Sequence, residues 1–484
     1  MIGSRRSGSA LFLGLLPGRR VAAIALGAGL ALACLATGLA LAFLGDRFGW
    51  VLIPALPLGA LTTIAIFAQP LVGLMLVFLI LPAGLVELPT EAVGLQAPEI
   101  VMALVIGVVV IRRVATGKSP LPWAPQMSFV YLIVGWALLA TPGAFDTSGA
   151  LKQTIQIAGG ATFALAVVSV TRTFDDMRLA VAVLLVVGTG ITLVGLANVG
   201  QLQAGAGGIT EGRAQGMFQS PNGFGGFTAP MLLAALGLVW GARTAVARLW
   251  ASVAAMIFAA GLIASLSRGA WIGTVLSIGV LIALLPKARR VLLLFGLPAV
   301  ILGASLVAAF APPDQPQVQA VRARIVSLAE PRPATYDNRP TLWREALRQI
   351  RERPLLGSGP ANYAEASAAS DSLARTFGHS HAHNAVLTVA AEAGIPAAAL
   401  MVAFTVAMGL ATRRFALRFP DPADVALVAG VAAALFHQVG QGLVDDITVR
   451  DNVLGPIMWA LLGFLLMARQ ALRDHETRET PTGS

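Results

Sequence analysis

Apolar residues in this chain come in long runs. Stretches such as 179–200 and 423–443 are mostly Ala, Val, Leu, Ile and Gly, and charges fall mostly in the short gaps between runs. A half-buried strand alternates every second residue, and a surface helix keeps a polar stripe, so neither template fits. Crossing a bilayer by helix takes roughly 17–25 apolar residues. On that rule we expect about 12–14 spans, at 21–45, 49–68, 70–86, 97–111, 127–143, 156–171, 179–200, 222–241, 247–266, 270–285, 291–311, 384–410, 423–443 and 453–468. The third and fourth of these are short for the purpose.

One polar stretch, 312–383, interrupts the series. It opens Pro-rich at Ala311-Pro312-Pro313 and then predicts a helix over 341–352. Leu342, Trp343, Ala346, Leu347 and Ile350 recur there at helical spacing, so the helix lies on the membrane surface or caps the bundle. Pro354 stops it, and Gly357-Ser358-Gly359-Pro360 makes a turn. The expected organisation is an N-terminal transmembrane bundle (1–311), a large loop with an amphipathic helix (312–383), C-terminal transmembrane helices (384–470) and a tail (471–484).

Composition supports the pattern. The 484 residues are 56% hydrophobic and only 12% charged, which excludes an ordinary soluble enzyme. The net charge of +10 carries no nucleic-acid signal, because there is no basic face on a soluble domain. Instead the arginines cluster at alternate gaps: Arg5, Arg6, Arg19 and Arg20; Arg112, Arg113 and Lys118; Arg243 and Arg248; Arg413, Arg414 and Arg418. Positive charge is retained in the cytoplasm, so both termini are expected inside, and the 312–383 loop outside. Asp445, Asp446 and Asp451 fall on the outer side as well. Cys34 is the single cysteine, which excludes an intramolecular disulfide.

Three polar constellations share that outer side: Arg213 through Pro221-Asn222, then Ser267-Arg268-Gly269, then Asp337-Asn338-Arg339 through Trp343 with His379, His381, His383 and Asn384. An arginine donates two parallel charge-assisted hydrogen bonds and does not deprotonate, which suits a phosphate group. Arg268 lies so near the hydrocarbon that it either binds something or snorkels to the headgroups. Arg213 taken singly reads as a loop charge. Three of five histidines lie within 379–383. A neutral imidazole there serves as a general base; the rival readings are a polar interface and a metal site. His437, beside Gln438 and Gln441 inside a span, reads as a helix-packing hydrogen bonder. Glu392, the one carboxylate deep in an apolar run, is either functional or bound to a neighbouring element.

In order and spacing these motifs resemble the O-antigen ligase and polymerase superfamily of GT-C type membrane glycosyltransferases. The resemblance covers about residues 205–410. It rests on Arg213 before Pro221-Asn222, on Ser267-Arg268-Gly269, on Arg339 and Trp343, on Pro354 through Gly359, on His383-Asn384, and on Glu392-Ala393-Gly394-Ile395. A family glycine is replaced by Ala397. The resemblance implies an all-α, GT-C-like polytopic membrane enzyme in a bacterial inner membrane. It would transfer a glycan from an undecaprenyl-diphosphate carrier to lipid A-core or another surface glycan at the outer face, without metal or other cofactor. In that setting Arg213 and Arg268 hold the diphosphate and His383 is the base. Arg339, His381, Asn222, Trp343, Asn384 and Glu392 line the substrates. A polymerase acting on the same donor is the near alternative. A transporter or flippase and a non-catalytic export scaffold are the distant ones.

Overall fold

The computed structural model describes residues 52–85, 96–198, 204–205, 208–209, 213–218, 220–285, 287, 291, 296, 338–370, 381–445 and 453–479. The expected spans at 21–45 and, almost entirely, at 291–311 lie outside these residues, as do the start of the long loop, Asp337 and His379.

The described chain is helical apart from one antiparallel pair of two-residue strands, β1 (Ala204–Gly205) and β2 (Gly208–Ile209). In order, the helices are α1 (Leu52–Ala68), α2 (Pro70–Leu79), α3 (Ala97–Ala115), α4 (Met127–Ala140), α5 (Thr147–Val170), α6 (Phe174–Ala197) and α7 (Pro221–Gly241). They continue with α8 (Ala245–Ser265), α9 (Arg268–Leu284), α10 (Arg339–Glu352), α11 (Tyr363–Ala368), α12 (Ala385–Ala416), α13 (Pro422–Gly442) and α14 (Leu454–Glu479). Seven of them, α5 to α8 and α12 to α14, are long and apolar enough to cross a membrane. The protein is a multi-pass, all-α membrane protein.

The expected boundaries hold for most helices, with three differences of physical origin. The stretch 70–86 forms only a ten-residue helix followed by a 3₁₀ turn at Leu81–Leu85. Ten residues rise about 15 Å, half of a hydrocarbon core. The expected span at 156–171 starts earlier, at Thr147, where Asp146 caps the helix by accepting from Ser148 N. The last helix runs on to Glu479, past the apolar run, so part of the expected tail is helical.

The bundle is built around α7. It packs on α8, α9 and α13, while α5 packs on α14, and α12 on α4. Glycines permit the closest approach. A side chain at Gly237 would run into Gly430 of α13, and one at Gly430 into Gly237, so the two backbones touch there. One ion network ties helix ends together. Arg178, fully buried, donates to Asp175 at 2.9 Å, to Gly241 O at 3.1 Å and to Asp424. Arg243 adds a 3.0 Å pair with Asp421.

Candidate functional site

The site is assembled from helix beginnings. At α7, Ser220 is the N-cap, its hydroxyl accepting from Gly223 N at 3.1 Å, and Pro221 occupies the first helical position. At α9, Ser267 plays the same part, accepting from Ala270 N at 3.3 Å. At α12, Asn384 Oδ1 accepts from Leu387 N at 3.0 Å. Each cap satisfies one of the orphan N–H groups that open a helix. The remaining N–H groups and the helix dipole make such ends favourable for anions.

The beginnings of α7 and α9 are pressed together. A side chain at Gly225 would meet the Ser265 hydroxyl, Ser267 and Ala270. Arg213 bridges the end of α8 and the beginning of α7, donating through Nε to Ser265 O at 3.0 Å and through its terminal nitrogen to Asn222 Oδ1 at 3.2 Å. The neighbouring Ala214 N donates to Ala264 O at 2.8 Å, which pins the arginine's backbone to the end of α8. Arg268, half-buried, is the first residue of α9.

The end of α13 closes the other side. Gln441 Nε2 donates to Asn222 O at 3.3 Å, and Gly269 lies against Val444 and Asp445. Asp445 is buried, and its Oδ1 stands 2.7 Å from His383 Nδ1 and 3.8 Å from His381 Nε2. The two imidazoles meet edge to face with ring centres 4.5 Å apart. Asn384 Nδ2 donates to Leu443 O at 2.9 Å and so locks the histidine segment to α13.

Burial alone would raise the Asp445 pKa. The two imidazoles beside it, His381 and the hydrogen-bonded His383, outweigh burial and hold the carboxyl well below its usual range. An ionised carboxylate only accepts, so His383 donates through Nδ1–H, and in the neutral ring Nε2 then carries the lone pair. Asp445 did not stand out in the sequence beyond its acidic character and its outer side. The available signal was a carboxylate placed directly after a span, on the side that carries the histidines.

The long loop lies beside this cluster. Helix α10 presents Leu342 and Ala346 to a small core with Tyr363, Ala382 and Ala391, flanked by Trp343 and Leu387. Ala382 sits between the two histidines, so Trp343 joins the same packing that seats them. Arg339 is the first residue of that helix. The helix therefore caps the bundle, while Leu347 is 40% exposed.

Glu392 is turned toward the loop. Its carboxylate accepts from Ala361 N at 2.9 Å and from Tyr363 N at 3.2 Å. The backbone adds Ser358 N to Ala391 O at 2.9 Å, Gly359 N to Glu392 O at 2.8 Å and Ile395 N to Pro354 O at 2.9 Å. Helix α12 breaks at Gly394 (φ 84°, ψ 167°), where any side chain would overlap the Leu355 carbonyl. Thus the motifs 354–359 and 392–395 are two halves of one joint. Burial and the loop partners pair Glu392 with a neighbouring element, two and a half turns from the histidines.

Non-glycine residues with positive φ among the described ones are Leu266, Ala361 and His383. Leu266 precedes the cap of α9, Ala361 binds Glu392, and His383 is the imidazole on Asp445. Left-handed backbone at such residues costs about 1–3 kcal/mol and concentrates at functional sites. As expected from sequence, His437 packs helices, with Nε2 3.1 Å from Ala270 O. Gln438 Nε2 likewise donates to Gly226 O at 2.9 Å.

The ligand atoms of His381, His383 and Asp445 all lie within 4.8 Å of one another, a spacing that admits a metal ion. Arg213, Asn222, the Ser267–Gly269 turn, His383, Asn384 and Asp445 form one connected set of contacts. Arg339 and Trp343 adjoin that set through α10, and Glu392 through the loop.

No curated protein matches the chain. Residues 251–402 match a family model described as O-Antigen ligase. The matched segment runs from within α8 through α9, the loop and half of α12. It includes Arg268, Arg339, His381, His383, Asn384 and Glu392, and excludes Arg213, Asn222 and Asp445. This segment of the chain, from within α8 to the middle of α12, is similar to the O-antigen ligase family.

Proposed function

We propose that the protein is an O-antigen ligase-like glycosyltransferase. It moves a glycan from an undecaprenyl-diphosphate carrier to a hydroxyl of lipid A-core or another surface glycan, at the outer face of a bacterial inner membrane. One observation carries this reading. Two helix N-termini and two arginines meet, within one chain of contacts, an imidazole oriented by a buried carboxylate.

Each half supplies what the reaction needs. The donor's sugar C1 is bound to a diphosphate oxygen, so the leaving group is already activated. The acceptor hydroxyl oxygen attacks C1, and its proton passes to His383 Nε2. The C1–O bond breaks, and its electron pair goes to the diphosphate, whose charge grows by one. Arg268, Arg213 and the N–H groups opening α7 and α9 stabilise that charge where it develops. Asn222 orients Arg213, Asp445 orients His383, and Asn384 holds the histidine segment on α13. Arg339 and Trp343 approach from the loop side. Glu392 acts through the loop it anchors.

The test is transfer by purified protein in lipid nanodiscs with an undecaprenyl-diphosphate-linked oligosaccharide and a set of acceptors. Product that disappears in both Arg268→Ala and His383→Ala upholds the reading, and the acceptor that is used separates ligase from polymerase. Folded protein that yields no product with any acceptor refutes it and returns the transporter reading to the front.

A further inference from the structure

We propose that His381, His383 and Asp445 form a binding site for a transition-metal cation of the Zn²⁺ class, and that its occupancy switches the transfer site off. The second half rests on the function proposed above; the first does not.

Three features argue for the ion. The donor set is two imidazoles and one carboxylate, the mixture preferred by zinc and its neighbours, whereas Ca²⁺ and Mg²⁺ take oxygen ligands. The carboxylate is already buried, so the cost of removing it from water is met by the fold before any cation arrives. The geometry is close to what coordination requires. A tetrahedral ion about 2.0–2.1 Å from each ligand atom sets those atoms roughly 3.3 Å apart. Here His383 Nδ1 is 2.7 Å and His381 Nε2 3.8 Å from Asp445 Oδ1, and all three atoms lie within 4.8 Å. Changes of about half an ångström in the two distances from Asp445, and of up to about 1.5 Å between the imidazole nitrogens, seat the ion and leave a fourth position for water. The side chains of both histidines are 16–18% exposed, so an ion can reach them.

The consequence follows from proton placement. Without an ion, a neutral His383 bears its proton on Nδ1, facing Asp445, and Nε2 carries the lone pair. An ion bound at Nδ1 needs a lone pair there, so the imidazole proton moves to Nε2 by exchange with solvent. No net proton is released. The nitrogen that must receive the acceptor's proton is then protonated, and transfer stops.

The experiment uses full-length protein in nanodiscs, purified on a tag without histidine and stripped with chelator. Zn²⁺ is titrated against a chromophoric chelator, and X-ray absorption at the zinc edge reports the ligands. The expected result is about one equivalent per chain at low micromolar free zinc, with two imidazoles in the first shell, weakened at least tenfold in His381→Ala. Absence of stoichiometric binding, unchanged affinity in a monodisperse His381→Ala protein, or a shell with fewer than two imidazoles overturns the site. The spectrum of the unmutated protein decides the matter even if the variant fails to fold. In the transfer assay, Zn²⁺ should abolish product over the same concentrations at which it binds. Stoichiometric binding with undiminished transfer would uphold the ion site and overturn His383 Nε2 as the base instead.

Discussion

Replacing Asp445 by asparagine keeps the shape of the side chain and removes its charge. In the native protein a buried carboxylate accepts from His383 Nδ1 at 2.7 Å. A charge-assisted hydrogen bond of this kind contributes about 1.5–3 kcal/mol. If it acts on the transition state, its loss lowers kcat by about 10- to 150-fold, since 1.4 kcal/mol is about tenfold. The amide can also turn its NH₂ toward the ring, which would favour the tautomer with its lone pair on Nδ1, and that adds to the loss. Removing the base itself, in His383→Ala, should lower kcat by about 10²–10⁴-fold. The decisive measurement is the double variant. If Asp445 acts only through His383, then Asp445→Asn with His383→Ala is no slower than His383→Ala alone. KM for the lipid-linked donor should move little in any of the three, because neither residue grips the diphosphate. Wild-type kcat in a folded Asp445→Asn protein would refute the argument. So would a double variant slowed by the product of the two single effects.

Four further perturbations test other parts of the structure. Arg268→Lys keeps a point charge but loses the planar fork, so transfer should fall at least tenfold, and Arg268→Ala should fall further, about 10²–10³-fold, in the same assay. Glu392→Gln weakens the acceptor for Ala361 and Tyr363 N–H by about 1–3 kcal/mol; faster proteolysis at 353–363 with unchanged cleavage elsewhere is the expected readout. Gly394→Ala forces a side chain into backbone that is open almost only to glycine and onto the Leu355 carbonyl, so it should lower the melting temperature and transfer more than Gly59→Ala, where a Cβ meets nothing within 4 Å. Asp424→Ala takes one of two carboxylate partners from the fully buried Arg178; a loss near the low end of about 3–5 kcal/mol is expected from chemical denaturation.

Much of the fold was legible because a bilayer tolerates few backbone solutions. Apolar runs of span length had to be helices, and the helices at 221–241, 245–265 and 422–442 stand within a few residues of their expected limits. Helix starts were harder to place, since they depend on side-chain caps such as Asp146 that hydropathy does not weigh. The shortness of α2 was foreshadowed by the proline-rich neighbourhood of residues 70 and 82. In the site, Arg268 and His383 were marked by being charged or titratable at a span boundary. Asp445 was not, because what distinguishes it is its distance from a histidine 62 residues earlier in the chain. The partner of Glu392 was hidden for the same reason. Sequence can show a carboxylate inside an apolar run, but not that loop N–H groups will return to meet it.

The site's construction from helix ends explains why its motifs all fall at span boundaries. A helix beginning inside or near a membrane leaves orphan N–H groups that lipid cannot satisfy, so it must be capped or must bind something polar. Ser220, Ser267 and Asn384 each cap one N–H of their helix. Bringing several such ends together concentrates partial positive charge, and Arg213 and Arg268 add full charges to it. That arrangement is unfavourable by itself and becomes favourable once a multiply charged anion sits there. Strained backbone falls at Leu266, just before the cap of α9, and at His383, just before the cap of α12. A bundle selected for stability alone would fill this space with apolar side chains, as α7 and α13 do elsewhere along their contact. Under the function proposed above, a phosphate-bearing substrate would offset the cost of keeping it polar and positively charged.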